Sequence, residues 1–383
     1  MNKKDLKYMI LIFLVAFNLR IGISSVPPII GMIKETLNLN NFQASLLTSI
    51  PVICMGSLAF FVGKLQEKLG RNKTICICLL ILSIGTISRI YLNSYIGLLF
   101  TTIVIGFSIA IIGPLISGFI KEEFSEKSGL LIGIYSLSMG IGSSISSAYT
   151  LSITNAFNNN WSLALSIWGA IPLLVACIWQ FFSPKEVNKS KNKKKQSFPL
   201  KSMQAWKMVL FFGIQSGIFY GFTTWIADLA SHLGYSSSES AYMLTIFTIV
   251  QMSFSFIIPT LMDKVGTTKL WIFICSGLVL IGNITLLILP QSFFIFSLLI
   301  VGVGAGGLFP IAMLLPLKAT SNALEASLWT GMVQSFGYIL GGIIPIIMGI
   351  VNDITKVQTN AFIVIIILCI ILIVIAFSRL EKK

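Results

Sequence analysis

The chain has 383 residues, of which 55% are hydrophobic and only 10% charged. Soluble domains carry roughly 25% charged residues. A mean hydropathy of +0.91 therefore excludes a soluble globular enzyme, a disordered chain and a coiled coil, and calls for lipid as the solvent. The formal net charge is +14, from 27 Lys and Arg against 13 Asp and Glu; the placement of these charges argues against a nucleic-acid partner.

The first apolar run follows Lys3, Lys4 and Lys7. It is too long for a secretory leader, carries Arg20 in its middle, and meets Pro27-Pro28 where a small-residue cleavage site would stand. It reads as a retained first helix. At about 20 residues per crossing, twelve such runs follow one another, at 8–30, 44–66, 73–92, 96–120, 129–152, 161–182, 205–230, 240–262, 269–289, 293–317, 325–351 and 357–379. They are continuous rather than alternating, so a membrane barrel is excluded. Pro27-Pro28, Pro51, Pro114, Pro259, Pro310 and Pro345 predict kinks.

With the N-terminus on the cytoplasmic side, Lys34 and Lys356 are the sole basic residues in outer segments, and Arg20 and Arg89 fall within spans. All other Lys and Arg gather on the inner side. This positive-inside asymmetry predicts both termini in the cytoplasm. The longest polar segment, 183–204, is a Lys-rich cytoplasmic linker. It separates a predicted N-terminal six-helix bundle, 1–182, from a C-terminal one, 205–383.

A shift of 196 residues superposes the two halves. Leu65, Glu67, Lys68, Gly70 and Lys73 fall on Leu261, Asp263, Lys264, Gly266 and Lys269, Gly106 on Gly302, and Pro114 on Pro310. Two six-helix halves in the same orientation form the parallel repeat of the major facilitator fold. The fold expected is thus all-α, with twelve transmembrane helices in two pseudo-symmetric bundles.

The loop after span two runs Gly63-Lys-Leu-Gln-Glu67-Lys68-Leu-Gly70-Arg71-Asn-Lys73. It resembles the major facilitator signature Gly-x-Leu-x-Asp-Arg-x-Gly-Arg-Lys, with Glu for Asp and Lys for Arg. Asp263, Lys264 and Gly266 form a degenerate second copy. An acid at a helix end beside bases, with glycines for a tight turn, suits a gate whose contacts break between states; the plainer alternative is a generic positive-inside loop.

A narrower resemblance rests on Asn18-Leu-Arg20 with Ser25-Val-Pro27-Pro28, on Leu46-Leu-Thr-Ser-Ile-Pro51-Val, on Phe219-Tyr220-Gly221 with Trp225, on Gly306-Gly-Leu-Phe-Pro310, and on Gly331-Met-Val-Gln334-Ser-Phe-Gly-Tyr338. Together these are similar to the cyanate / 2-nitroimidazole transporter family of the major facilitators. Membership implies transport of a small molecule, with the site near the midplane.

Arg20 stands about 20 Å of helix rise above Lys7. An unpaired cation at that depth costs several kcal/mol, so it must face a wet cavity or a partner. One reading has Arg20, with Asn18, recognising an anion; the other has it locking helices by bonding carbonyls or an acid. Tyr135, Gln215, Phe219, Tyr220, Trp225, Gln251, Gln334 and Tyr338 are further candidates for orienting a polar solute, although amides and phenols also bond between helices and Trp225 could sit in an interfacial belt.

No carboxylate lies at mid-depth, and the one histidine, His232, is outer. Side-chain proton coupling is therefore expected to be weak or absent, with Asp228 the exception to test. Six unpaired cysteines and a single histidine give no metal or disulfide framework, and no cofactor is called for. Gly302, Gly304 and Gly307 spell GxGxxG inside an apolar helix, which means close helix packing rather than a dinucleotide site, and Gly129-xxx-Gly133 reads alike.

The functional expectation is a secondary transporter of the bacterial plasma membrane. It would take a small anion or compact polar solute, as a monomer, with the lipid bilayer as its other partner. Import of a cyanate-type solute is the first reading. Export of small toxic or nitroimidazole-like compounds is the second, and a non-transporting receptor a distant third. No enzyme chemistry is indicated.

Overall fold

The structure is a computed structural model that describes residues 3–377 except 59–60, 125–127, 184–197, 263–264, 266, 290 and 321–322. Most of the basic linker, and Asp263, Lys264 and Gly266, lie outside the described residues. Those described form fifteen α-helices and short 3-10 turns, with no strand among them.

The helices are α1 Lys3–Ser24, α2 Ile30–Leu37, α3 Asn41–Ser57, α4 Val62–Leu69, α5 Arg71–Ile87, α6 Tyr95–Glu123, α7 Ser128–Ala156, α8 Trp161–Ile167, α9 Ala170–Phe182, α10 Met203–His232, α11 Ser237–Met262, α12 Thr268–Ile288, α13 Phe294–Ala319, α14 Ala323–Thr355 and α15 Ile363–Phe377. Among the described residues, 10 segments are long and apolar enough to cross a membrane. Helices α3 and α7 fill the second and fifth places in the series of twelve. Exposed side chains such as Ile84, Ile96, Leu174, Phe181, Ile288 and Val374 make a surface suited to hydrocarbon.

Residues 1–38 with 57–191 form one compact unit, and 39–56 with 192–383 the other. The same pairings recur within each. In the first, α1 packs on α7, α5 on α6, and α5 on α9. In the second, α10 packs on α14, α12 on α13, and α12 on α15. Even the polar links repeat: Ser83 of α5 donates to the Gly169 carbonyl at 2.7 Å, where the sixth span breaks between α8 and α9. Asn283 of α12 donates to the Phe362 carbonyl at 2.7 Å, where a 3-10 turn leads into α15.

Helices in lipid gain little from apolar burial against each other, so close approach through small residues carries the packing. On α10, Gly213, Gly217 and Gly221 stand four apart and seat Leu340, Ile344 and Met348 of α14. On α13, Gly302 and Gly306 lie against Val250 and the Gln251 carbonyl of α11, and Gly304 and Gly307 against Cys275 of α12. The GxGxxG run is thus a packing surface. Gly133 differs: a Cβ there would meet nothing within 4 Å, so the close packing expected of Gly129-xxx-Gly133 does not hold at that position.

The Pro27-Pro28 pair breaks span one outright rather than kinking it. Helix α1 ends at Ser24, a 3-10 turn covers Pro27–Ile29, and α2 starts at Ile30. By contrast Pro51, Pro114, Pro259, Pro310 and Pro345 remain inside continuous helices.

Candidate functional site

In the first unit, α1 buries Leu11, Ile12, Val15, Ala16, Asn18 and Leu19 and leaves Phe13, Phe17, Arg20 and Ser24 half-buried. Those four recur at helical spacing, so they form one face. Phe13 and Phe17 stack along it with ring centroids 6.3 Å apart. Helix α7 approaches α1 where Gly142 meets the Phe17 backbone, and the Ser24 and Ser143 hydroxyls lie 2.8 Å apart. Arg20 sits between these two contacts on the incompletely covered face.

Asn18 is elsewhere. Two helical residues turn the chain by about 200°, and Asn18 is 1% exposed in a narrow crevice with Leu82, Thr86, Trp168 and Pro172. Its Nδ2 donates to the Leu14 carbonyl at 2.7 Å, and its Oδ1 accepts no bond. Tyr135 is half-buried on α7, about 10 Å of helix rise from Gly142, with its hydroxyl near Gly113 of α6.

In the second unit, Gln215 is buried and donates to Ser216 Oγ at 2.8 Å. One turn on, half-buried Phe219 stacks on Phe247 at 6.3 Å and meets the buried Tyr220 edge-on at 5.2 Å. Trp225 is buried, and its indole donates to the Pro345 carbonyl at 3.0 Å, which removes it from any interfacial belt. Gln334 and Tyr338 are half-buried one turn apart on α14. Gln334 Nε2 contacts Met313 Sδ at 3.1 Å, and Tyr338 meets Phe212 edge-on at 5.0 Å. Phe212 in turn contacts Phe309 at 6.3 Å. The structure thus gathers the candidate Tyr338 with Phe212 and Phe309, two aromatics not among the sequence-based candidates.

The signature loop is anchored from below. Gly70 holds φ 80° between α4 and α5, a conformation that side chains disfavour. The Gly63 backbone lies in α4, and Glu67, Lys68 and Lys73 are exposed. Arg71 is buried, with its guanidinium 4.7 Å from the Phe119 ring, a cation–π contact. Phe119 meets Tyr8, Phe124 and Trp179 edge-on, and Trp179 Nε1 donates to the Asn72 carbonyl at 3.2 Å. The sequence marked the loop but not this aromatic cradle, whose members come from α1, α6 and α9 and the residue after α6.

The all-helical repeat, with long apolar helices and exposed hydrophobic surfaces, defines a multi-pass membrane protein. The Major Facilitator Superfamily model matches residues 12–342 and 208–383, and the chain belongs to that superfamily. It is a secondary transporter and not an enzyme. It is 30% identical to the uncharacterised transporter YycB of Bacillus subtilis (strain 168), over 95% of this chain and 92% of that one. Against two Escherichia coli (strain K12) proteins, the cyanate transport protein CynX and the 2-nitroimidazole transporter, identity is 25% (91% and 90% covered) and 28% (89% and 87% covered). Among solved structures, an inward-facing, occupied bacterial homologue of the human lysosomal transporter Spinster superposes with TM-score 0.82 at 14% identity, covering 98% of this chain and 97% of that one. A D-xylose–proton symporter gives 0.80 at 13%, covering 100% and 99%. These last two bear on the fold alone.

Proposed function

We propose that the protein moves a small anion or compact polar organic solute across a bacterial plasma membrane by alternating access, as a monomer with both termini cytoplasmic. In this reading the halves 1–182 and 205–383 move about the linker 183–204, and Arg20 recognises the substrate. The observation that carries it is the place of Arg20, half-buried on a face of α1 shared with Phe13, Phe17 and Ser24, while Leu11, Ile12, Val15, Ala16 and Leu19 are buried. A cation is tolerated at such depth where water or a polar guest reaches it. Tyr135, Phe219, Gln334 and Tyr338 are the further contacts proposed, since all are half-buried. Asn18, Gln215, Tyr220 and Trp225 act behind them as packing and hydrogen-bonding support. The gate role proposed for Glu67, Lys68, Gly70, Arg71 and Lys73 is supported by the cradle that fixes Arg71.

Relatives include transport proteins for cyanate and for 2-nitroimidazole, so cyanate import is the first substrate reading. Outward movement is the second, favoured by a 24% identical nitrite extrusion protein of Bacillus subtilis (strain 168) and by membrane voltage. Purified protein in liposomes should carry labelled cyanate or nitrite, and Arg20→Gln should lower uptake at least about tenfold while inserting normally. Full flux in that variant would reject Arg20 as the recognition group.

A further inference from the structure

The outer end of α1 has lost its backbone donors. Pro27 and Pro28 carry no N–H. The Ser25 amide bonds the Ile21 carbonyl at 3.1 Å, and the Val26 amide turns to Ile23 at 3.3 Å. The carbonyls of Gly22 and Ser24, which a continuing helix would pair with residues 26 and 28, are left for side chains.

Two side chains take them. Ser147 of α7 donates to the Ser24 carbonyl at 3.2 Å. Arg89, in the 3-10 turn that ends α5, donates through Nη1 to the Gly22 carbonyl at 3.3 Å. Its Nε points to Thr101 Oγ1 of α6 at 3.4 Å. Arg89 is 1% exposed, and no described carboxylate pairs with it. A cation at a helix C-terminus, on an orphaned carbonyl, is favourable for both dipole and hydrogen bond. Gly22 makes the approach feasible: Ile105 of α6 lies 3.1 Å from where its Cβ would be.

Arg20 lies two residues before the capped carbonyl, in the same last turn. We propose that Arg89 is a positioning residue for substrate recognition: it fixes where α1 stops and thereby how Arg20 is presented. This rests on the assignment of Arg20 as the recognition group. In this reading buried Arg89 sets the helix end and half-buried Arg20 contacts the solute.

The test compares Arg89→Leu, which cannot donate, with Arg89→Lys, which keeps a cation. The Leu variant removes a buried charge without leaving a partner ion behind, so it should fold. Hydrogen exchange of the Gly22–Val26 amides should speed up about tenfold or more in Arg89→Leu, with α10 unchanged, and stay within about threefold of wild type in Arg89→Lys. Cyanate affinity, read by thermal shift, should fall about fivefold or more in Arg89→Leu but not fall further when the change is made in Arg20→Gln. Unchanged exchange in Arg89→Leu overturns the cap. Faster exchange with unchanged cyanate affinity overturns the positioning role. Full cyanate affinity in Arg20→Gln, or no cyanate binding by wild type, sinks the reading of Arg20, and with it the positioning role, while exchange alone still decides the cap.

Discussion

Two residues separate Asn18 from Arg20, and the helix sends them to different places. Asn18 carries an unbonded Oδ1 into a narrow crevice, whereas Arg20 lies on the half-covered face. Replacing Asn18 by Leu removes a buried, half-satisfied amide of similar volume. Such a change is near neutral or stabilising by about 1 kcal/mol, so the melting temperature of Asn18→Leu should hold or rise and flux should stay within about twofold. A loss of substrate affinity in Asn18→Leu would put Asn18 in contact with the solute. Counting along an apolar run gives the height of these residues on the helix. It did not make their facing legible. Amphipathic periodicity reveals a helix's orientation only where one face is polar, and α1 is apolar almost all round.

At the scale of elements, the seam between α10 and α14 shows what a glycine stripe does without a hydrophobic driving force. Gly217 is in contact with Ile344 Cγ1, and Gly221 lies 2.6 Å from Met348 Sδ as measured from an ideal Cβ. A methyl at 217 has no room unless Ile344 yields. Gly217→Ala should therefore lower stability by about 1–3 kcal/mol, seen as reduced melting temperature. Pairing it with Ile344→Ala should cost less than the two single changes together; strict additivity would show that the seam is not the tight contact described. The sequence analysis did not single this stripe out, and three glycines four apart name a face and not what covers it. The same holds for the signature loop. Gly70 and Arg71 stood out in sequence, but Phe119 and Trp179 come from distant apolar runs in which one aromatic looks like another.

For the whole molecule, charge governs both orientation and energetics. The 196-residue repeat was legible because it depends on counting and hydropathy alone, and the same counting is what proposes an inner side for most of the lysines. Direction of transport is not written there; for an uncoupled anion carrier, voltage would set it. Moving one net negative charge inward against 100 mV costs about 2.3 kcal/mol, a concentration factor near fifty. An uncoupled carrier of an anion should then exclude cyanate from liposomes held negative inside and accumulate it in liposomes held positive inside, by about that factor each way. Flux indifferent to voltage would mean that a compensating charge travels too. The residue to suspect is Asp228, 4% exposed, whose carboxylate lies 3.9 Å from His232 Nδ1. Asp228→Asn should leave a voltage-driven anion flux unchanged. If instead it abolishes a pH-driven, voltage-insensitive flux, the coupling site is this outer carboxylate and the uncoupled reading fails.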